Sequence, residues 1–208
     1  LIDLESTVEE PQPKECPQFM LETSAATGAE IGTAMHVFMQ FCDFERCASG
    51  ADGIAEEAER LARERFITER QKSLLESSKI AAFFASSLYR KTISESRRVY
   101  RERRFNLSIP AESLSKDCME TVGCKTPESD FVLVQGVIDC FCENADGTYT
   151  LIDFKTDYVP WGAEGERILA ERHREQMAFY KTAIEKMTER KVSKSVLWSF
   201  KLGKEIVL

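Results

Sequence analysis

Two aspartates and a lysine carry the most chemically suggestive pattern in this chain. They lie in residues 135–157, QGVIDCFCENADGTYTLIDFKTD, which read as two strands joined by a tight turn, with Asp139 on the first and Asp153 and Lys155 on the second. Side chains alternate along a strand, so Asp153 and Lys155 share one face while Ile152 and Phe154 take the other. The same alternation groups Asp139 with Val137 and Phe141 and turns Cys140 and Cys142 away from it, as core thiols. A hairpin pairing can bring Asp139 opposite Asp153. Two carboxylates on adjacent strands are hard oxygen donors suited to Mg2+ or Mn2+, which take carboxylates together with water and substrate phosphate. A lysine beside such an ion can orient or deprotonate an attacking water and offset the charge growing on a phosphodiester, so hydrolysis of a phosphate backbone is the natural use. The competing reading of Asp153 and Lys155 is a plain ion pair on a half-solvated strand, worth little energy.

Helices and strands must hold these residues in place. Residues 27–44 carry Ile31, Met35, Phe38, Phe41 and Cys42 at helical spacing, with Thr27 placed to cap the helix three residues before Glu30. That helix also carries His36. Residues 47–53 are a turn by composition, residues 54–66 a charged, solvent-facing helix, and residues 68–89 one further helix with Leu74, Leu75, Ile80, Phe83, Phe84 and Leu88 as its buried stripe. Residues 99–107 alternate as a strand, with Tyr100, Glu102 and Arg104 on one side and Arg101, Arg103 and Phe105 on the other. Residues 108–130 hold Pro110, Gly123 and Pro127 among polar residues and read as an irregular loop, and residues 144–147, NADG, as a hairpin turn. A long helix follows over 166–188, with Ile168, Leu169, Met177, Tyr180, Ala183, Ile184 and Met187 inward, then a strand over 195–200 and a short apolar end, 206–208. A helical first third, three strands, a helix and a strand make an α/β protein: a central mixed sheet flanked by helices.

Length and composition set the bounds. The chain has 208 residues, enough for one domain with a tail, and holds no apolar run near the ~20 residues of a membrane helix. Its net charge of -7 has the wrong sign for bulk attraction to nucleic acid, but the charge is unevenly spread. Residues 1–30 hold seven acids and one lysine, whereas residues 90–104 hold seven basic residues against Glu95 and Glu102. The first 27 residues, with Pro11, Pro13 and Pro17, read as an acidic linker or docked strap. The chain opens on Leu1 with neither the basic start nor the apolar middle of a secretory signal, and is expected to be a piece of a longer protein. Seven cysteines without a CxxC pair indicate neither a disulfide framework nor a zinc knuckle, and fit reduced thiols in a cytoplasm.

Four segments in order resemble a known family. Gly32 to His36 (GTAMH), Gly136 to Asp139 (GVID), Ile152 to Asp157 (IDFKTD) and Gln176 to Tyr180 (QMAFY) are similar to the motifs of RecB-type nucleases in the PD-(D/E)XK superfamily, and among these to the C-terminal nuclease domains of AddA subunits of AddAB helicase-nucleases. The resemblance covers residues 28–208 and implies a restriction-endonuclease-like core and a Mg2+- or Mn2+-dependent deoxyribonuclease. It implies Asp139 and Asp153 as metal ligands, His36 as an additional ligand, Lys155 as the catalytic lysine, and Gln176 and Tyr180 as an accessory pair. Implied partners are single-stranded DNA, a helicase motor in the parent chain and a second helicase-nuclease subunit, in double-strand break repair and recombination.

Bland readings stand beside these roles. His36 could be an ordinary core histidine, and Gln176 and Tyr180, one helical turn apart, mere packing. Glu102 is either another acid of the site or a partner for Arg101 or Arg104. The cluster Arg97, Arg98, Arg101, Arg103 and Arg104 is either a grip on a DNA backbone or a solvated face. Some relatives bind an iron-sulfur cluster through cysteines after the long helix; with no cysteine beyond Cys142, none is expected here. The rival functions are a catalytically silent nuclease-like module that binds DNA or a partner, and a stand-alone Cas4-like nuclease, which the missing late cysteines disfavour.

Overall fold

The computed structural model describes residues 26–110 and 131–208. Thr27 starts the first helix, α1 (Gly28–Phe41), through the expected reciprocal cap: Glu30 N–H donates to Thr27 Oγ1 at 3.2 Å and Thr27 N–H to Glu30 Oε2 at 2.9 Å. Four shorter helices follow, α2 (Phe44–Cys47), α3 (Ala51–Arg63), α4 (Glu69–Ser73) and α5 (Ser77–Ala85), then a π-helical turn, Tyr89–Ile93. The sheet comprises β1 (Arg98–Pro110), β2 (Phe131–Glu143), β3 (Tyr149–Lys155), β4 (Val192–Ser199) and β5 (Lys204–Val207), hydrogen-bonded in that order. All neighbours are antiparallel except β3 and β4, whose parallel pairing uses α6 (Ala163–Thr188) as its crossover.

The sheet separates two apolar cores. Met35, Phe38, Phe83, Ile152, Phe154 and Trp198 fill the layer under α1–α5, while Ile138, Leu151, Leu169, Met177, Ile184 and Leu197 fill the layer under α6. Ile152 and Phe154 lie in the first core and Leu151 in the second, so the expected alternation along β3 holds, with Asp153 and Lys155 on the α6 side. The β2–β3 turn forms as expected, closed by Gly147 N–H to Asn144 O at 3.0 Å with Gly147 at φ 82°.

Several expectations need correction. The single helix over 68–89 is three pieces, because side chains take over the helical bonds at its breaks. At the first, Ser73 Oγ donates to Arg70 O at 2.7 Å; at the second, Ser86 Oγ donates to Phe83 O at 2.6 Å while accepting from Tyr89 N–H at 3.2 Å. The turn over 47–53 ends sooner and α3 begins at Ala51, where Gly53 presses against the Arg46 carbonyl so closely that no Cβ would fit. Nor does α3 face solvent alone, since Ile54, Glu57 and Leu61 are fully buried. Residues 108–110 continue β1, and the rest of the expected loop, 111–130, lies outside the described residues, as does the tail up to residue 25. Met187 is 44% exposed rather than inward, and the apolar end forms β5. Among the described residues no helix is long and apolar enough to cross a membrane.

The correction that matters for the site concerns β1 and β2. Their pairing runs through Arg101↔Cys140 and resumes at Arg103↔Ile138, leaving Glu102 and Asp139 on an unpaired rung between. Glu102 adopts φ 50°, a left-handed conformation unusual for glutamate. The irregularity shifts the alternation by one residue on both strands. Tyr100 and Phe105 therefore pack in the same core under α6, and so do Ile138 and Phe141, whereas simple alternation put each pair on opposite faces.

Candidate active site

The unpaired rung leaves Asp139 free to reach the second strand of the hairpin. The β2–β3 ladder ends at Cys140↔Ile152, and Asp139 and Asp153, the next residue on each strand, lie near enough for their charges to interact. Asp139 Oδ2 accepts from the Phe154 N–H at 2.9 Å, so the side chain spans the rung that its backbone leaves open. From the other layer His36 Nδ1 lies 3.4 Å from the same oxygen. Helix α1 comes this close because Gly32 has no side chain: a Cβ there would meet Thr156 Oγ1 at 2.8 Å.

Asp153 is 1% exposed, and its Oδ2 lies 2.8 Å from Lys155 Nζ. Lys155 also donates to Gln176 Oε1 at 2.9 Å, and Gln176 Nε2 donates to Tyr180 Oη at 2.9 Å. The lysine is thus held between an aspartate and a glutamine that is itself fixed by a tyrosine. The fold therefore brings His36, Asp139, Asp153, Lys155, Gln176 and Tyr180 into one place from both layers and the sheet between them.

The electrostatics are those of crowded acids. Burial, and then the facing Asp139, push the Asp153 carboxyl up to about 6 despite Lys155. Burial likewise raises the Glu102 carboxyl, with Asp139 adding to it and His36 opposing, which places Glu102 beside the same two residues. Burial works against charge on His36, yet the hydrogen bond and charge of Asp139 leave its pKa raised. Burial and then Asp153 lift the Tyr180 phenol to about 12, which keeps it a neutral hydrogen-bonding group.

Comparison with known proteins shows the family. The profile of the PD-(D/E)XK nuclease superfamily matches residues 13–207. The chain belongs to the PD-(D/E)XK nuclease superfamily. It is also similar to AddA-type proteins of the ATP-dependent helicase/nucleases: 36% identical over 184 residues to that of Thermoanaerobacter sp. (strain X514), covering 88% of this chain and 14% of the relative. The counterpart from Clostridium botulinum (strain Alaska E43 / Type E3) is 33% identical over 195 residues, 92% of this chain and 15% of the relative. That from Bacillus velezensis (strain DSM 23117 / BGSC 10A6 / LMG 26770 / FZB42) is 36% identical over 201 residues, again 92% and 15%. The chain thus spans about one seventh of these relatives' length.

PD-(D/E)XK nucleases generally use divalent metal ions, and the donor set here suits one. Among the described residues no three His, Cys, Asp or Glu side chains are gathered as a closed metal cage. Mg2+ needs none, because it is held through one or two carboxylates and keeps waters and substrate phosphates as its other ligands. Among the described residues no aligned hydrogen-bond donor reaches the buried Asp153 Oδ2, whose neighbour is the Lys155 ammonium. An oxygen so placed, facing a second carboxylate, has capacity for a cation.

Sequence reasoning missed one group beside this cluster. Asp157 accepts from Arg172 Nη1 at 2.6 Å, and His173 Nε2 stands 3.4 Å from its Oδ2; the His173 contact, with Arg172, holds the carboxyl well below the usual carboxylate range. His173 also lies near enough to Asp153 to oppose the rise in its pKa. The available signal was spacing, since His173 precedes Gln176 by three residues and so shares its helix face. The basic cluster does not act as one surface: Arg101 Nη1 donates to the Met39 and Cys42 carbonyls at 3.1 and 2.6 Å, closing the end of α1, and Arg97 lies 3.8 Å from Glu143. Arg103 and Arg104 are exposed on the rungs just past Glu102.

Proposed function

We propose that this chain is a Mg2+- or Mn2+-dependent deoxyribonuclease domain that hydrolyses phosphodiester bonds of single-stranded DNA. The observation that carries it is the convergence of Asp139, Asp153 and Lys155 on the adjacent strands β2 and β3, with Lys155 braced by Gln176 and Tyr180. Asp139 and Asp153 would hold the ion, with His36 at its flank. A bound divalent ion would supply Lewis-acid polarisation of the phosphoryl oxygens and a lowered pKa for the attacking water. Lys155 directs its ammonium at the space beside Asp153, where it orients the nucleophile and offsets charge as the phosphorane develops. Gln176 and Tyr180 fix that ammonium without competing for its charge. Glu102 joins as a further acid next to Asp139, and the exposed Arg103 and Arg104 offer backbone phosphates a counter-charge.

The similarity to AddA-type helicase/nucleases supports a larger setting. In it, residues 28–208 are the nuclease domain of a cytoplasmic parent chain with its own helicase motor, paired with a second helicase-nuclease protein, and act in double-strand break repair and recombination. The test is release of fragments from linear single-stranded DNA with Mg2+ or Mn2+. Cleavage that disappears on chelation and in Asp153→Ala supports the reading, whereas DNA binding without any cleavage points to a catalytically silent module.

A further inference from the structure

Off the carboxyl ends of the parallel strands β3 and β4, two rings stand in solvent around one lysine. Tyr158 is 86% exposed and Trp161 70% exposed, and Lys201 Nζ lies 4.4 Å from the first ring centroid and 4.7 Å from the second. Single exposed aromatics are commonplace, but two rings bridged by one ammonium form an organised surface. We propose that Tyr158, Trp161 and Lys201 are a stacking platform for unpaired nucleotides of the DNA strand at the nuclease site, an inference that rests on DNA being the substrate.

The platform is rigidly mounted. Val159, between the two rings, is buried in the core under α6, and the Pro160 carbonyl sits against Gly165 so closely that no Cβ would fit there. Lys201 follows Phe200, whose N–H donates to the Lys155 carbonyl at 2.9 Å, and it lies in the tight β4–β5 turn closed by Gly203 N–H to Ser199 O at 2.8 Å. Both segments are therefore fixed before any ligand arrives, which lowers the ordering cost of binding. They are also close to the chemistry: Tyr158 is three residues past Lys155, at most about 11 Å of extended chain. Open α/β sheets bind ligands at the carboxyl ends of their strands, which is where this surface lies.

The composition suits single-stranded nucleic acid. Exposed rings accept the faces of unpaired bases whatever their identity, and a cation among them meets the phosphates. Acids nearby are already neutralised within the chain: Glu166 by Lys204 at 2.9 Å, Glu164 by Arg167 at 2.8 Å and Asp157 by Arg172 at 2.6 Å. A blunt duplex has no free base faces to offer and should not engage the rings.

Tryptophan fluorescence reads the platform directly, because Trp161 is exposed whereas the other tryptophan, Trp198, is 1% exposed. The chain is titrated with a single-stranded oligothymidylate in chelator, where no cutting occurs, beside an abasic oligonucleotide and a blunt duplex. Expected are quenching of Trp161 by the oligothymidylate alone and at least a tenfold loss of affinity in Tyr158→Ala/Trp161→Ala, with unchanged thermal melting. Affinity unchanged in the double variant, or binding without a Trp161 response, overturns the platform and leaves the rings as a protein-docking surface. The Asp153→Ala chain separates the two claims: metal-dependent cleavage by that variant, with the quench intact, sinks the nuclease assignment and not the platform. An unsubstituted chain that binds no single strand overturns both.

Discussion

Glu57 and Asp153 are both carboxylates sealed from water, at 0% and 1% exposure, yet their surroundings are opposite. Glu57 accepts from the Asp43 N–H at 2.8 Å and from Arg60 Nη2 at 2.7 Å, with Arg46 at 3.5 Å, and these cations and donors outweigh its burial to hold its pKa below 4.5. Asp153 faces Asp139, has a single lysine beside it, and is pushed up to about 6. A buried acid surrounded by its own cations is a finished structural element. One set against another acid is stabilised when a further cation arrives, and that difference makes Asp153 the candidate for function.

Substitution separates the two acids most sharply. Asp153→Asn should abolish metal-dependent cleavage, by roughly 10³-fold or more, while leaving the melting temperature equal or higher, because a buried like charge is removed. Glu57→Gln should do the reverse, costing about 1.5–3 kcal/mol of stability by replacing the charged acceptor of Arg60 and of the Asp43 N–H with a neutral amide, with cleavage by the folded fraction unchanged. Denaturant titration and single-strand cleavage on both variants check the contrast; a loss of stability in Asp153→Asn with cleavage retained would invert it.

Acidity gives a second contrast, in metal-free buffer. Glu57 has its folded pKa below the unfolded value of 4.5, so its contribution is complete above that pH and is lost as pH falls through the folded value. Asp153 rises from 3.8 to about 6 on folding, so between these values the folded state binds the extra proton and stability falls as pH rises. The melting temperature of Asp153→Asn relative to the parent chain should therefore climb from about pH 4 to about 6 and level off above, while the deficit of Glu57→Gln levels off already above 4.5.

The smallest effects should come from the brace on Lys155. Gln176→Ala removes the acceptor that orients the ammonium and should lower kcat by about 10–100-fold, and Tyr180→Phe, which only frees the glutamine, by several-fold at most. Single-turnover cleavage at saturating DNA measures both, and a larger loss in Tyr180→Phe would give the phenol a role of its own.

Local chemistry explains what could be read in the chain. The Thr27–Glu30 cap, the Asn144–Gly147 turn and the side-by-side placement of Asp153 and Lys155 depend on residues within a few positions of one another. The unpaired rung at Glu102 and Asp139 could not be read so, because it requires two acids from separate strands to meet and shift the alternation of both. Glu57 looked like one more surface charge because its cations come from a helical turn away and from α2. Asp157 acquires Arg172 and His173 only after α6 folds back along the sheet. The four motifs named the candidate residues; the packing added a second histidine and a left-handed glutamate beside them.

The central claim is that Asp139 and Asp153 together hold the divalent ion beside Lys155. Crystals of the chain soaked in Mn2+ test it through anomalous scattering. The account predicts a manganese peak within about 2.5 Å of carboxylate oxygens of both aspartates, on the side of Lys155 and in reach of His36. A manganese bound elsewhere, with Asp139 and Asp153 still turned to Phe154 and Lys155, would contradict it.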